Sequence, residues 1–131
     1  MEMMDRFNAV ALNLLRIMAG VLFVPHGAQK LFGMFGASPA ELLSRQVAGV
    51  IECFGGLAIV LGLLTRPVAF VASGLMASAY FMVHVYEGFW PIVNDGELPV
   101  LYCFVFLFLA AHGGGNFSID GLFRERRRKM W

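Results

Sequence analysis

Four long apolar stretches occupy most of this 131-residue chain and limit the folds that are open to it. They run from about residues 9 to 32, 47 to 64, 68 to 85 and 98 to 112. A membrane hydrocarbon core of about 30 Å is crossed by about 20 residues of α-helix. The sequence therefore predicts an all-α integral membrane protein in which four helices form one bundle.

The composition supports a membrane environment for the whole chain. Hydrophobic residues make up 59% of the sequence and charged residues only 15%, whereas about 25% of residues are charged in ordinary soluble domains. The mean hydropathy is +0.71. Because the four stretches leave little chain for a separate soluble domain, residues 1 to 131 are expected to form a single membrane domain with the lipid bilayer as its partner.

Positive charges indicate how the predicted bundle is oriented. Five of the ten Lys and Arg residues lie in the sequence RERRRK at 124–129, within a predicted basic tail of residues 113 to 131. Arg6 precedes the first stretch, and Arg66 separates the second from the third. Because Lys and Arg mark the cytoplasmic side, both termini are predicted to be cytoplasmic in a multi-pass protein of the inner (cytoplasmic) membrane. The tail is interpreted as a topology and lipid-headgroup signal, so no nucleic-acid partner is expected.

Three ionisable side chains interrupt the first stretch: Arg16, His26 and Lys30. On a straight helix with 100° per residue they fall within an arc of about 80°. Ionisable groups at membrane depth are costly and normally point into a bundle. The face that carries them is therefore predicted to face inward.

The second stretch supplies a candidate counter-charge, Glu52, between the small residues Gly49 and Gly56. In an antiparallel neighbour, Glu52 comes to the depth of His26 and Lys30, roughly 6 to 8 Å below the outer membrane border. An isolated carboxylate at this depth would take up a proton, so pairing with a cation is expected. We predict that His26, Lys30 and Glu52 are catalytic groups that handle protons or charge. The alternative is a structural ion pair and hydrogen-bond network that fixes the register of the helices.

The third and fourth stretches bring further polar groups to the same outer third of the bundle. These groups are His84, Glu97 and Tyr102. Together with Arg16 they are predicted to bind a substrate. Arg16 lies about 21 Å from Lys30 along the helix axis, and a purely structural role is its alternative.

The two cysteines, Cys53 and Cys103, fall at similar depths in their predicted helices. One interpretation is a redox-active dithiol, and the alternative is a pair of inert free thiols that pack as small apolar residues. Adding His26 and His84 would give nitrogen and sulfur ligands suited to copper or zinc. No CxxC, HxxxH or HExxH spacing supports such a centre, so no metal site is predicted.

Three segments in this order resemble the DoxX family of small four-helix membrane proteins across nearly the whole chain. The segments are LLRIMAGVLFVPHGAQKLFG, GVIECFGGLAIVLGLLTRPVA and GGGNFSIDGLF. The ionisable and glycine positions of the family pattern correspond here to Arg16, His26, Gly27, Lys30, Glu52, Gly55 and Gly56.

The resemblance implies a membrane subunit of a quinone- or thiol-linked oxidoreductase system, of the kind tied to oxidative stress in bacteria. A quinone is then the candidate cofactor, bound as a small lipophilic molecule between the helices. Soluble or membrane oxidoreductase subunits and further copies of the chain are the candidate protein partners. The resemblance does not imply catalysis without a partner subunit, and the alternative function is a noncatalytic membrane scaffold or small-solute carrier.

Overall fold

The structure, a computed structural model, describes residues 1–130, which form five helices and no strand. The helices are α1 (Glu2–Phe32), α2 (Leu43–Leu61), α3 (Thr65–Glu87), α4 (Glu97–His112) and α5 (Ile119–Lys129). The predicted all-α class is therefore confirmed. Each of the first four helices corresponds to one predicted apolar stretch.

The ends of α1 and α2 differ from the predicted ones for local reasons. α1 begins at Glu2 rather than near residue 9, with Glu2 and Asp5 in its first turn, where acidic side chains interact favourably with the helix dipole. α2 ends at Leu61 rather than at residue 64 because Gly62 adopts a left-handed conformation with φ of 68°. Glycine adopts this conformation at little cost and commonly ends helices in this way.

The predicted basic tail, residues 113 to 131, contains α5. Ser118 precedes this helix, and its hydroxyl accepts a hydrogen bond of 3.0 Å from the amide of Gly121. This is the usual way in which a serine caps a helix N-terminus. Trp131, the last residue of the predicted tail, lies outside the described residues.

Three helices, α1, α2 and α3, are long and apolar enough to cross a membrane, with 31, 19 and 23 residues. α4 is also apolar, but its 16 residues give a length of about 24 Å, shorter than a typical hydrocarbon core. A membrane protein in contact with lipid is thus confirmed. The fourth crossing and the orientation of the termini stay predictions.

The helices pack as two antiparallel pairs, α1 with α2 and α3 with α4. The ring of Phe23 on α1 lies 4.7 Å from the ring of Phe106 and 5.6 Å from that of Tyr102, both on α4. Ile59 and Ala69 complete the centre of the core and have no exposed surface. Phe23 therefore joins the first helix pair to the second.

The backbones of α1 and α2 meet at glycines. A Cβ atom added to Gly27 would lie 2.5 Å from the carbonyl oxygen of Gly49, and one added to Gly20 would lie 2.7 Å from that of Gly56. No side chain fits at such distances, so these positions let the two helices approach closely. The approach places Glu52, between Gly49 and Gly56, directly against α1.

One end of the bundle, which we call the basic end, contains the start of α1, the α2–α3 turn and the α4–α5 connection. The amide of Asp120 donates to the carbonyl oxygen of Gly62 (3.0 Å), and Arg66 donates to that of His112 (3.4 Å). The opposite end, which we call the cavity end, contains the connections 33–42 and 88–96. Because α4 ends beside the α2–α3 turn, it returns through the bundle antiparallel to α3.

Asp120 fastens α5 to the start of α3 at the basic end. Its carboxylate accepts hydrogen bonds from the amides of Leu64 (2.9 Å) and Thr65 (2.8 Å). Burial acts to raise the pKa of Asp120, but these amides and the charge of Arg124 outweigh it and hold the pKa below its ordinary value. The charged carboxylate therefore stabilises this end of the fold.

Candidate functional site

A cavity of about 270 Å³ lies between the first four helices at the cavity end. Every one of these helices contributes to its wall. The titratable side chains that line it are His26, Lys30, Glu52, His84, Asp95 and Tyr102. The apolar ones are Phe23, Met76, Ala79, Leu98 and Pro99. A groove of about 430 Å³ next to it is lined by Glu97 and Leu101 and contains no buried charge.

Lys30 and Glu52 form an ion pair in the wall of this cavity. Lys30 Nζ lies 2.5 Å from Glu52 Oε1, and the two side chains are 24% and 4% exposed. The predicted pairing of these residues is therefore confirmed. The second oxygen, Glu52 Oε2, is buried and has no hydrogen-bond partner within residues 1–130. A buried charged acceptor without a donor is costly, so within the described part of the chain Glu52 lacks a hydrogen bond that its buried carboxylate requires.

Two π-helical turns bring side chains to the cavity. Glu52 lies in the turn Ile51–Gly55 of α2, and His84 closes the turn Tyr80–His84 of α3. A π turn holds one residue more than an α-helical turn and shifts the following side chains around the helix. Such turns are rare and occur frequently at functional sites. Both π turns contribute a titratable side chain to the same cavity.

His84 is held in one tautomer by the connection between α3 and α4. Its Nδ1 atom lies 2.9 Å from the carbonyl oxygen of Asn94. Because a carbonyl can only accept, Nδ1 must carry the proton, and Nε2 of the neutral ring is left as an acceptor. The side chain of Asn94, only 1% exposed, donates to Gly88 (2.6 Å) and accepts from the amide of Gly96 (2.9 Å).

Sequence reasoning missed Asn94 and Asp95. Asp95 lines the cavity and adopts a positive φ of 54°, a conformation that aspartate tolerates better than most residues. The available signal was the triplet NDG, whose residue types favour turns and whose side chains bind nearby backbone. It marked a connection and gave no indication that the connection folds back over the bundle.

The remaining predicted residues of the outer third differ in position. His26 lines the cavity with an exposed side chain, so it stands at the rim, and Tyr102 lines it from the buried side. Glu97 does not reach the cavity and lies in the neighbouring groove. The structure thus brings together His26, Lys30 and Glu52, which were predicted to be catalytic.

Arg16 lies at the basic end, away from the cavity, and is 1% exposed. Its guanidinium donates to the carbonyl oxygens of Ile59 (2.7 Å), Val60 and Phe117 (2.7 Å), with a longer bond of 3.4 Å to Asn13. The first two carbonyls belong to the last turn of α2, where the amide of Gly62 also donates to Ile59 (3.1 Å). These hydrogen bonds agree with the alternative prediction for Arg16, a purely structural role. Arg16 does not line the cavity.

Cys53 and Cys103 are free thiols in different helix interfaces. The backbone of Cys53 packs against Gly27 of α1, whereas Cys103 Sγ lies 3.5 Å from the hydroxyl of Ser73 on α3. Neither cysteine lines the cavity, and the structure does not bring the two together. Within the described part of the chain, no three His, Cys, Asp or Glu side chains gather in a way that could hold a metal ion.

The sequence profile of the DoxX family matches residues 11–85. An uncharacterized protein of Haemophilus influenzae is 38% identical, and the alignment covers 96% of this chain and 100% of that protein. An Escherichia coli inner membrane protein, YqjF, is 29% identical over 94% of this chain and 99% of its own. A candidate oxidoreductase of Bacillus subtilis, CatD, is 26% identical over 89% and 90%. No solved structure gives a significant match.

The matched segment includes three walls of the cavity. It contains α1 from residue 11, α2 and nearly all of α3, and with them His26, Lys30, Glu52 and His84. Three helices able to span a membrane and relatives named as inner membrane proteins agree with the predicted location. The prediction of a multi-pass inner-membrane protein is therefore confirmed.

Proposed function

Because the chain belongs to the DoxX family, we propose that it is the membrane subunit of a redox system and binds a quinone ring between its helices. The observation that carries this proposal is the buried pair of Lys30 and Glu52 in the wall of the cavity. Ionisable groups at membrane depth are expensive and usually functional. The name of the CatD relative points in the same direction.

The cavity suits the ring of a quinone better than a whole lipid. Its volume of about 270 Å³ is just below the usual range of about 300 to 1,000 Å³ for ligand sites. Apart from its charged and histidine side chains, the wall is apolar or aromatic, with Phe23, Met76, Leu98 and Tyr102 among its residues, which suits a flat ring. The isoprenoid tail of the quinone would pass between the helices into the lipid, where its surroundings stay apolar.

The polar residues of the wall fit a ring that carries two oxygens. Lys30 has N–H groups beyond the one given to Glu52, and these can donate to a ring oxygen. When bound, a quinone supplies reversible two-electron chemistry that side chains lack. His26 at the rim and the Lys30–Glu52 pair are proposed to transfer the protons, and His84 and Tyr102 to orient the ring.

The electrons are proposed to come from a partner oxidoreductase subunit. The bundle would contribute the membrane site, in which the ring is bound and shielded from water, and the partner would contribute the reductant. This division makes the chain a subunit of an enzyme rather than an enzyme on its own.

We also propose that α4 crosses the membrane, that both termini are cytoplasmic and that the cavity opens toward the outer side. In support, Arg66 and the basic residues 124–129 all belong to the basic end, where the chain enters α1. The 16-residue α4 can span if the bilayer thins around it, at a cost of fractions of a kcal/mol per Å.

Filling the cavity tests the proposal. Ala79 lines the cavity, whereas Ala77 of the same helix lines an apolar groove on another side. Protein purified in mild detergent from quinone-containing membranes should carry quinone, measured by mass spectrometry of the extracted lipid. Ala79→Phe should lose most of it and the control Ala77→Phe should keep it.

Two results would reject the proposal. Equal quinone content in the two variants would place any bound quinone outside the cavity. Absence of quinone from the unmodified protein, even after quinone is added to it, would favour the noncatalytic scaffold or carrier.

A further inference from the structure

We propose that the cavity binds the reduced, hydroxyl-bearing form of its ring ligand in preference to the oxidised, carbonyl-bearing form. This preference rests on the proposed function and specifies the ligand of the same site. It follows from a difference between the two carboxylate oxygens of Glu52: one has a hydrogen-bond donor and the other has none within the described residues.

Glu52 Oε1 receives the hydrogen bond from Lys30, while Oε2 is buried without a donor in the described part of the chain. A carboxylate can only accept hydrogen bonds, so a ligand group beside Oε2 has to donate one. A quinol hydroxyl donates to Oε2 while its own oxygen accepts from Lys30. A quinone carbonyl can accept from Lys30 but leaves Oε2 unpaired.

His84 provides a second acceptor on the opposite pair of helices. Its Nδ1–H donates to the carbonyl oxygen of Asn94, so in the neutral form of the ring Nε2 is left as an acceptor, in a side chain that lines the cavity. Two acceptors, one on α2 and one on α3, require two donors, and a dihydroxylated aromatic ring carries two hydroxyl groups. A quinone, which has no donor, matches neither.

Water does not remove this difference. Any water beside Oε2 donates to it, and a ligand that displaces the water must replace that hydrogen bond or lose affinity. A hydrogen bond to a charged group corresponds to a preference on the order of ten- to a hundred-fold. Tighter binding of the reduced form raises the midpoint potential of the bound couple by about 30 mV per tenfold.

Binding of three matched probes to the full chain in nanodiscs tests the inference without any mutation. The probes are a short-chain 1,4-benzoquinol, its dimethyl ether and the corresponding benzoquinone, titrated under anaerobic conditions by calorimetry. The ether keeps the ring and both oxygens but has no donor. The quinol should bind at least about tenfold more tightly than either of the other two.

A second test replaces one carboxylate oxygen of Glu52 with the NH2 group of an amide. In Glu52→Gln a donor replaces one acceptor, so the preference for the quinol should disappear or turn into a preference for the quinone. Glu97→Gln, which changes a carboxylate outside the cavity, should keep the original preference. If Glu52→Gln fails to fold, the three probes on the unmodified chain still decide.

The outcomes separate this inference from the proposed function. Equal affinities of the unmodified chain for quinol, ether and quinone would overturn the preference and leave quinone binding intact. A quinol preference that survives in Glu52→Gln would also overturn it. Binding of none of the three probes would overturn both.

Discussion

At the scale of single residues, the ion pair of Lys30 and Glu52 is a strong energetic constraint on the fold. Both side chains are largely buried, and Glu52 is almost fully enclosed. An unpaired charge at either position would therefore be costly. Removing one member of a buried pair strands the other, at a cost of about 3 to 5 kcal/mol, whereas replacing both is often much milder. The pair can therefore be tested for stability separately from function.

We predict that Glu52→Gln and Lys30→Met each lower the free energy of unfolding by about 3 kcal/mol, and that the double variant regains much of this loss. Thermal unfolding in detergent measures the cycle. If the double variant recovers stability but not quinol binding, the pair serves binding as well as folding. Recovery of both properties would leave it a structural role only, and simple additivity of the two losses would contradict the coupling.

Asp120 gives a prediction about pH. Its pKa in the folded protein lies below the ordinary value of 3.8, so its stabilising contribution is complete above pH 3.8 and is lost as the pH falls through the folded pKa. Asp120→Asn should cost about 1 kcal/mol at neutral pH, because the amides of Leu64 and Thr65 lose a charged acceptor.

Unfolding temperatures of the two proteins measure this difference at each pH. The gap between unmodified chain and variant should be constant near neutrality and should narrow as the pH falls below 3.8. A gap that is independent of pH would show that the charge of Asp120 contributes nothing.

The pairing of Lys30 with Glu52 was predictable because the two residues lie at matched depths in antiparallel helices, and the glycines at 27, 49 and 56 mark the faces that meet. It was insufficient for Glu97, because the rotation of α4 decides which side chains reach the cavity. Leu98 and Tyr102 share the face that does, and Glu97 lies on the next face. α4 is apolar on nearly all sides, so its sequence carries no polar face that would reveal the rotation.

At the scale of secondary-structure elements, the two π turns explain why regular periodicity predicted the helices but not the full site. An extra residue within a turn changes which later side chains face inward, and hydrophobic patterns with a period of 3.6 residues do not reveal it. Glu52 and His84 both lie in such turns. The depth of each residue in the membrane could be predicted from the sequence. The direction of each side chain could not, because it depends on the π turn.

The contact of α1 with α2 depends on Gly27. A Cβ there would lie 2.5 Å from a backbone oxygen of Gly49, which cannot move without moving α2. We predict that Gly27→Ala lowers the free energy of unfolding by about 2 kcal/mol or more and weakens quinol binding, because Lys30 and Glu52 are drawn apart.

Gly74→Ala is the matched control, since a Cβ at Gly74 meets no atom within 4 Å. Alanine is favoured over glycine by about 1 kcal/mol in a helix, so this variant should be at least as stable as the unmodified chain. Equal unfolding temperatures for the two glycine variants would contradict a close approach at Gly27.

At the scale of the whole molecule, the layout of four apolar helices was predictable because bilayer thickness fixes the length of a span. The folded connection 88–96 was not, since it is organised by the single buried side chain of Asn94. The docking of α5 was likewise hidden, because it depends on Asp120 and Arg16 binding backbone groups that are distant in the sequence.

The proposed topology predicts where introduced cysteines can be labelled in a variant without Cys53 and Cys103. Ser38 and Ile92 are exposed in the two connections of the cavity end, and Met130 is exposed beyond α5. A membrane-impermeant maleimide should label Ser38→Cys and Ile92→Cys in intact spheroplasts, and Met130→Cys only after the membrane is opened. Labelling of Met130→Cys together with Ile92→Cys in intact spheroplasts would mean that α4 does not cross.

The central claim, that a quinone ring occupies the cavity, is tested most directly by photolabelling the full chain in nanodiscs with an azido-substituted quinone. Peptide mapping by mass spectrometry should find the label within residues 23–30 of α1 and 98–102 of α4, and excess unlabelled quinol should suppress it. Label confined to lipid-facing side chains such as Phe70 and Phe81, or unaffected by the competitor, would contradict the claim.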